Sequence, residues 1–192
     1  MSPRIKSLLS YGIPVVVGIA LYFSASVLEL STVNDLTGLF LLMTLALAWN
    51  LVGGFGGQFS LGHSIFVGVG SYATAVILTT LGWPLLPSMV AAAVMSAFIG
   101  VLLAYPLLRL RGPYLAVGSL GIALAAYGWM INWNFTKASQ AYQVVATVSL
   151  QEVMQYATVL LTIAVVAVLA LVRSPLGLRL VALRDNEQGA AS

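Results

Sequence analysis

The sequence predicts an all-α fold: a polytopic membrane helix bundle of about six spans, with a Gly-rich helix break and with both the N-terminus and the C-terminus cytoplasmic. Three observations predict it. Charged side chains make up only 7% of the 192 residues (8 Lys+Arg and 5 Asp+Glu), against about 25% in soluble domains, too few to tile a water-facing surface. The stretch Leu36 to Leu108 holds no Asp, Glu, Lys or Arg, and the mean hydropathy is +1.02. Between interruptions by charge, Pro or Gly, the apolar runs approach the roughly 20 residues that a helix needs to cross the hydrocarbon core. The same composition excludes intrinsic disorder, a nucleic-acid binder with a basic solvent face, and a disulfide-stapled secreted module, since there is no cysteine.

Cutting the chain at those interruptions gives six spans. The first runs from Leu8 to Leu28, between Lys6 and Glu29. The second, Leu36 to Val52, is 17 residues, or roughly 25 Å at the α-helical rise, the short limit for a span. Ser64 to Leu81 and Ser88 to Leu108 follow, separated by the turn-like Trp83-Pro84-Leu85-Leu86-Pro87. Pro113 to Trp133 is the fifth, with Pro113 suited to a first helical turn, and Val153 to Val172 is the sixth. Residues 1–172 thus form a transmembrane region and 173–192 a cytoplasmic segment.

Charge sets the orientation. With the N-terminus inside, six spans place Arg4, Lys6, Arg109, Arg111, Arg173, Arg179 and Arg184 on the cytoplasmic side and only Lys137 outside, so seven of the 8 cations obey the positive-inside rule. Trp83, Trp129 and Trp133 then fall near the outer interface, where indole rings anchor. The first span has a second reading, a signal peptide, because Arg4 and Lys6 precede an apolar stretch that ends in the small residues Ser24-Ala25-Ser26.

Small residues recur at helix-packing spacing: Ser96, Gly100 and Ala104; Gly121 and Ala125; Ser64 and Gly68. Such rows let helix backbones approach where lipid supplies no hydrophobic drive, either inside the bundle or at a subunit interface.

The segment from Asn50 to Ser64 is different in kind. It gathers five glycines with Gln58, Ser60, Ser64 and the only histidine, His63, where an ordinary cytoplasmic loop would carry Lys or Arg. Non-helical backbone at membrane depth requires burial in protein or a polar cavity. A discontinuous helix lining a pathway has this composition, with Ser60 as N-cap of the restarting helix and its free N–H groups attracting carboxylates. Gly56, Gly57, Gln58, Ser60, Gly62, His63 and Ser64 are therefore the candidate pathway residues. A tight Gly-rich turn joining two spans has the same composition, and both readings stay open.

No enzyme is expected. Ser60 and His63 are spaced i, i+3, but no acid orients the histidine. Thiolate metal sites are excluded with the cysteines. Neither lysine follows a Gly-rich loop of the GxxxxGK[ST] kind, so any ATP used must be hydrolysed by another chain.

After the sixth span, Leu176, Leu180 and Leu183 fall on one helical stripe at i, i+4 and i+7, and the following residues carry both charge signs. That combination suits a short cytoplasmic helix docking into a protein groove. A helix lying on lipid is the alternative, disfavoured by Asp185 and Glu187, which anionic headgroups repel.

Three stretches, "WNLVGGFGGQFSLGHSIFVGVGSYATA", "LRLRGPYLAVGSLGIA" and "SPLGLRLVALRDNEQGAA", closely resemble, in order and spacing, successive signatures of the branched-chain amino-acid ABC importer permeases of the LivM type. The resemblance implies a permease subunit in a bacterial or archaeal cytoplasmic membrane, working with a second related permease, two cytoplasmic ATPases and an extracytoplasmic solute-binding protein. It implies no cofactor in this chain. It also implies that Arg179, Arg184, Asp185, Asn186 and Glu187 belong to a coupling helix seated in an ATPase. Family members usually continue into further spans beyond "RDNE", so the chain resembles an N-terminal portion of such a permease. The outer loop Asn134 to Gln140 stands where relatives often carry a Gly-rich "TGG" stretch, and the same family includes urea and amide importers. An ion-coupled secondary transporter, for which only His63 could carry the coupling ion, and a purely structural membrane subunit are the readings from other classes.

Overall fold

The computed structural model describes residues 3–110, 112–133 and 148–185, without the side chains of residues 3–9, Leu183 and Asp185. Among the described residues the secondary structure is helical throughout: α1 (Pro3–Ser24), α2 (Leu30–Asn50), α3 (His63–Val76), α4 (Leu85–Leu107), α5 (Pro113–Asn132), α6 (Leu150–Val172) and α7 (Pro175–Asp185). A π-helical turn extends α2 over Leu51–Phe55, and another extends α3 over Ile77–Leu81. Among the described residues, five helices are long and apolar enough to cross a membrane: Leu30–Phe55, His63–Leu81, Leu85–Leu107, Pro113–Asn132 and Leu150–Val172. A shorter apolar helix, Ser10–Ser24, is the later part of α1.

The largest departure from the sequence-based spans is the second. It measures 26 residues, Leu30–Phe55, or about 39 Å of helix, where the apolar run alone is 17 residues from Leu36 to Val52. Helix formation carries on through polar Asn34 and exposed Asp35 at one end and through the π turn at the other. The fourth span also starts early. Gly82, at φ 65°, ends the preceding π turn in the left-handed region, and Pro84 is the N-cap of α4. That places Pro87 in the first helical turn, where a missing N–H costs nothing.

The chain divides into two compact units, one of residues 1–57 with 147–192 and one of residues 58–146. In the first, α6 packs against both α1 and α2. Its core is Ala25, Val33, Phe40, Met154, Ala157 and Leu161, flanked by Leu21, Leu28, Leu36, Leu47, Leu150 and Val165. Thr37, Thr44, Thr158 and Thr162 each donate to the carbonyl four residues back, at 2.7 to 2.8 Å. Their hydroxyls are thereby satisfied within their own helices, as an apolar medium requires. A capping box starts α6: Ser149 Oγ accepts the Glu152 N–H at 3.3 Å, and Glu152 Oε2 accepts the Ser149 N–H at 2.9 Å.

Helices α1 and α6 run antiparallel. Gly18 lies against Thr162, while Arg173, the C-cap of α6, donates to Ser10 Oγ at 2.5 Å and sits 5.1 Å above the Tyr11 ring. The end of this unit that carries Arg173 is therefore the end at which α1 begins, as the positive-inside assignment of Arg4, Lys6 and Arg173 to one side requires.

In the second unit α3 and α4 are antiparallel. The Phe66 ring lies 3.3 Å from where a Gly100 Cβ would stand, and Ser96 Oγ lies 3.5 Å from a Gly70 Cβ position. The Ser96–Gly100 row thus serves internal packing. Gly68 and Gly121 have open space beside them within the chain. At one end of the unit lie His63, Arg109 and Pro113, which stands at the start of α5. At the other lie Trp83 and the stacked pair Trp129 and Trp133, whose rings are 4.3 Å apart. Large apolar side chains such as Phe98 and Val101, 63% and 72% exposed, face outward, as lipid permits and water does not.

Candidate functional site

The Gly-rich segment begins inside the first unit. The π turn Leu51–Phe55 ends with the Gly56 N–H donating to the Leu51 carbonyl at 3.1 Å. Gly56 is buried, and a Cβ there would stand 2.8 Å from the Val52 carbonyl oxygen. Gly57 takes φ 65°, in the left-handed region that disfavours any side chain. A Cβ on Gly57 would meet the Cγ of Arg184 at 2.5 Å, its Cβ at 3.0 Å and its Cα at 3.1 Å. The last turn of α7 therefore rests on the backbone of Gly57.

Helix α7 is fixed at its other end too. Buried Gly177 lies under the end of α6, where a Cβ would meet the Val172 carbonyl oxygen at 2.5 Å, and its N–H donates to Ser174 Oγ at 3.3 Å. Along α7 the predicted stripe is only partly separated from the other faces. Leu180 is half-buried, but Leu176 is 57% exposed and Leu178, off the stripe, is 70% exposed. Arg179 and Arg184 are exposed. The side chain of Asp185 and the whole of Asn186 and Glu187 lie outside the described residues, as does Lys137.

The rest of the segment belongs to the second unit. Gln58, Phe59, Leu61 and Ser64 are exposed, and Ser60 and His63 are partly buried. Ser60 does not cap α3. The N-cap is Gly62, with no side-chain cap bond, and Ser60 Oγ accepts the Gly62 N–H at 3.4 Å. The helix starts instead with Ile65 N–H donating to the Gly62 carbonyl at 3.1 Å, so Ser60 is two residues too early for the N2 or N3 amide. Buried Gly62 is held against α5, where a Cβ would stand 3.1 Å from the Ser119 carbonyl oxygen and 3.3 Å from its Cβ.

Ser119 is a buried contact of this segment that the sequence pattern did not single out. It is 1% exposed, its Oγ accepts the Leu61 N–H at 2.9 Å, and it donates to the Ala116 carbonyl at 3.0 Å. The available signal was a lone hydroxyl in the small-residue run Leu115-Ala116-Val117-Gly118-Ser119 of a charge-free helix. His63 stands at the first position of α3 with its ring edge-on to Phe66 at 6.3 Å, and its Nδ1 is buried with no hydrogen-bond partner among the described residues. No group of three or more His, Cys, Asp or Glu that could hold a metal occurs among the described residues.

The glycines chosen on composition therefore share one geometric role. A methyl group would meet the preceding helical turn at Gly56, the base of the Arg184 side chain at Gly57, and Ser119 at Gly62, where the contact at 3.1 Å is tight.

A family profile described as "Branched-chain amino acid transport system / permease component" matches residues 31–192, a stretch that holds both the Gly-rich segment and α7. The chain is 39% identical over 93 residues to the high-affinity branched-chain amino acid transport system permease protein LivM of Escherichia coli K12, covering 47% of this chain and 21% of that protein. It is 41% identical over 80 residues to the protein of the same name from Salmonella typhimurium, covering 40% and 18%. The chain thus covers about a fifth of the length of the curated relatives it matches. No solved structure matches it significantly. With five helices able to span a membrane and a family match over most of its length, the chain is a multi-pass membrane protein that belongs to the permease components of branched-chain amino acid transport systems.

Proposed function

We propose that this chain is a permease subunit of an ATP-driven importer for branched-chain amino acids, set in a bacterial or archaeal cytoplasmic membrane with its cationic ends inside. The observation that carries the proposal is the family match over residues 31–192. In support, α7 projects beyond the last span with exposed Leu176, Leu178, Arg179 and Arg184.

In this scheme α7 and the residues after it, Arg179, Arg184, Asp185, Asn186 and Glu187, seat in a cytoplasmic ATPase. A second related permease, a second ATPase and an extracytoplasmic solute-binding protein complete the assembly. ATP binding draws the ATPases together and the docked helices with them, which opens the path toward the binding protein, and hydrolysis reverses the motion. The segment from Gly56 to Ser64 forms part of that path. Its polar side chains, Gln58, Ser60, His63 and Ser64, are grouped in a stretch without charge, as suits a zwitterionic solute that must be bound weakly enough to leave.

The test is ATP hydrolysis by the purified complete complex in lipid nanodiscs. Hydrolysis should rise when binding protein loaded with leucine is added, and less so with unloaded binding protein. Transport that needs an ion gradient and no ATPase would instead establish the secondary-transporter reading, with His63 as the ion-carrying residue.

A further inference from the structure

We propose that Gly57 and Arg184 form a seam through which α7 bears directly on the start of the Gly-rich segment, making Arg184 a positioning residue for transport; the inference rests on α7 being the helix that docks the ATPase. Contact at this seam is between the Gly57 backbone and the base of the Arg184 side chain with its Cα. The absent Gly57 side chain leaves a space that the Arg184 Cγ, Cβ and Cα enter to within 2.5, 3.0 and 3.1 Å of the vacant Cβ position. Since it is the stem and backbone of Arg184 that touch, and not the end of a long side chain, a displacement of α7 has no flexible linker in which to dissipate.

The two ends of α7 differ in a way that suits a lever. Gly177 is clamped beneath the carbonyl of Val172, and Leu178 N–H donates to the Ser174 carbonyl at 3.3 Å. Arg184, seven residues on, stands about 10 Å away along the helix. A tilt about the Gly177 end therefore moves Arg184 against Gly57. The chain at Gly57 can respond: it is preceded by a π turn, a helical form less stable than the α-helix and common where helices must yield. It also holds a left-handed φ that only glycine takes freely.

The same contact changes what Gly57 is for. A glycine lining a solute path would fail on enlargement because the solute is blocked, and nothing done to α7 would help. A glycine in a seam fails in part because the seam is forced apart, and trimming the opposing residue relieves that part.

The experiment uses the complete importer containing this chain, reconstituted with its ATPases and binding protein, and compares Gly57→Ala, Arg184→Ala and the double variant. Gly57→Ala should keep its ATPases on purification but lose leucine uptake about tenfold relative to ATP hydrolysed, from the strained left-handed φ and the Arg184 Cγ together; adding Arg184→Ala, which of the three contacting atoms removes Cγ alone, should restore the Cγ share of that loss, about threefold. No restoration, or normal uptake in Gly57→Ala, overturns the seam. Because Arg184 also lies in the segment that seats in the ATPase, uptake is expressed per ATP hydrolysed by complexes that retain their ATPases; complete loss of the ATPases from Arg184→Ala alone would overturn the seam by assigning Arg184 to docking only. In case Gly57→Ala fails to fold, a second measurement leaves Gly57 intact. The chain has no cysteine, so a single thiol at exposed Gln58 reports on the segment. Its labelling rate should change on trapping with a non-hydrolysable ATP analogue, and Arg184→Ala should abolish most of that change. An equal change with and without Arg184→Ala, or no change at all while ATPases are bound, contradicts the seam and leaves the docking role of α7 standing.

Discussion

Ser119 Oγ accepts the backbone N–H of Leu61 at 2.9 Å, so one hydroxyl on α5 holds the extended chain two residues before α3 begins. The hydroxyl hydrogen goes to the Ala116 carbonyl, which leaves the oxygen lone pairs facing Leu61. Substitution by alanine would remove the acceptor and leave a backbone donor without a protein partner beside a buried side chain. Ser119→Ala should therefore destabilise the purified protein by about 1–3 kcal/mol in denaturant titration in mixed micelles. Unchanged stability would mean that water takes over the Leu61 N–H.

Glycine-to-alanine changes should divide by position. At Gly62 an added methyl group meets the Ser119 carbonyl oxygen at 3.1 Å and Cβ at 3.3 Å, whereas at Gly68 nothing lies within 4 Å. Gly68 is inside α3, where alanine favours helix by about 1 kcal/mol. Gly62→Ala should insert normally and lose most uptake, and Gly68→Ala should be at least as stable as the native chain and retain uptake. His63→Ala should lose less uptake than Gly62→Ala. Full uptake by Gly62→Ala would show that α3 and α5 separate without functional cost and that the segment is only a connecting turn.

Orientation can be read with thiols in the cysteine-free chain. A cysteine replacing Lys137, which lies outside the described residues, should react with an impermeant reagent in intact cells. One replacing Arg179, exposed on α7, should react only after permeabilisation. The reverse pattern would invert the assignment of Arg4, Lys6, Arg173 and Arg179 to the cytoplasmic side.

Docking of an ATPase is best probed away from the Gly57 contact. Arg179→Glu combined with Glu187→Lys reverses the charge of one exposed residue on α7 and of one beyond the described residues without touching Arg184. This double variant should insert in the membrane yet lose co-purification with the ATPases. Unchanged recovery would favour α7 lying on the lipid surface.

Much of this fold was legible from the apolar runs, because a bilayer imposes length and composition on each span regardless of the partners it finds. The boundaries were less so. The apolar run places the start of the second span at Leu36, but a helix already nucleated by its apolar stretch extends back through polar Asp35 and Asn34 where they reach the aqueous phase. The Gly-rich segment was visible as an anomaly of composition, while its geometry was not. Nothing in the sequence pairs Gly57 with Arg184 or Gly62 with Ser119, since these are contacts between elements distant along the chain. The cap of α3 was misassigned to Ser60 for a related reason. A Ser followed by an apolar run is a local signal, and the position of Gly62 is set by its contact with α5.

The most direct test of the whole account is uptake of radiolabelled leucine into proteoliposomes that hold the complete importer, with ATP enclosed on the ATPase side and binding protein on the other, and with labelled urea assayed in parallel. The account predicts leucine uptake that requires both ATP and binding protein, competes with isoleucine and valine, and exceeds urea uptake. Leucine entry that persists without ATP, or a system that takes up urea and ignores leucine, would contradict it.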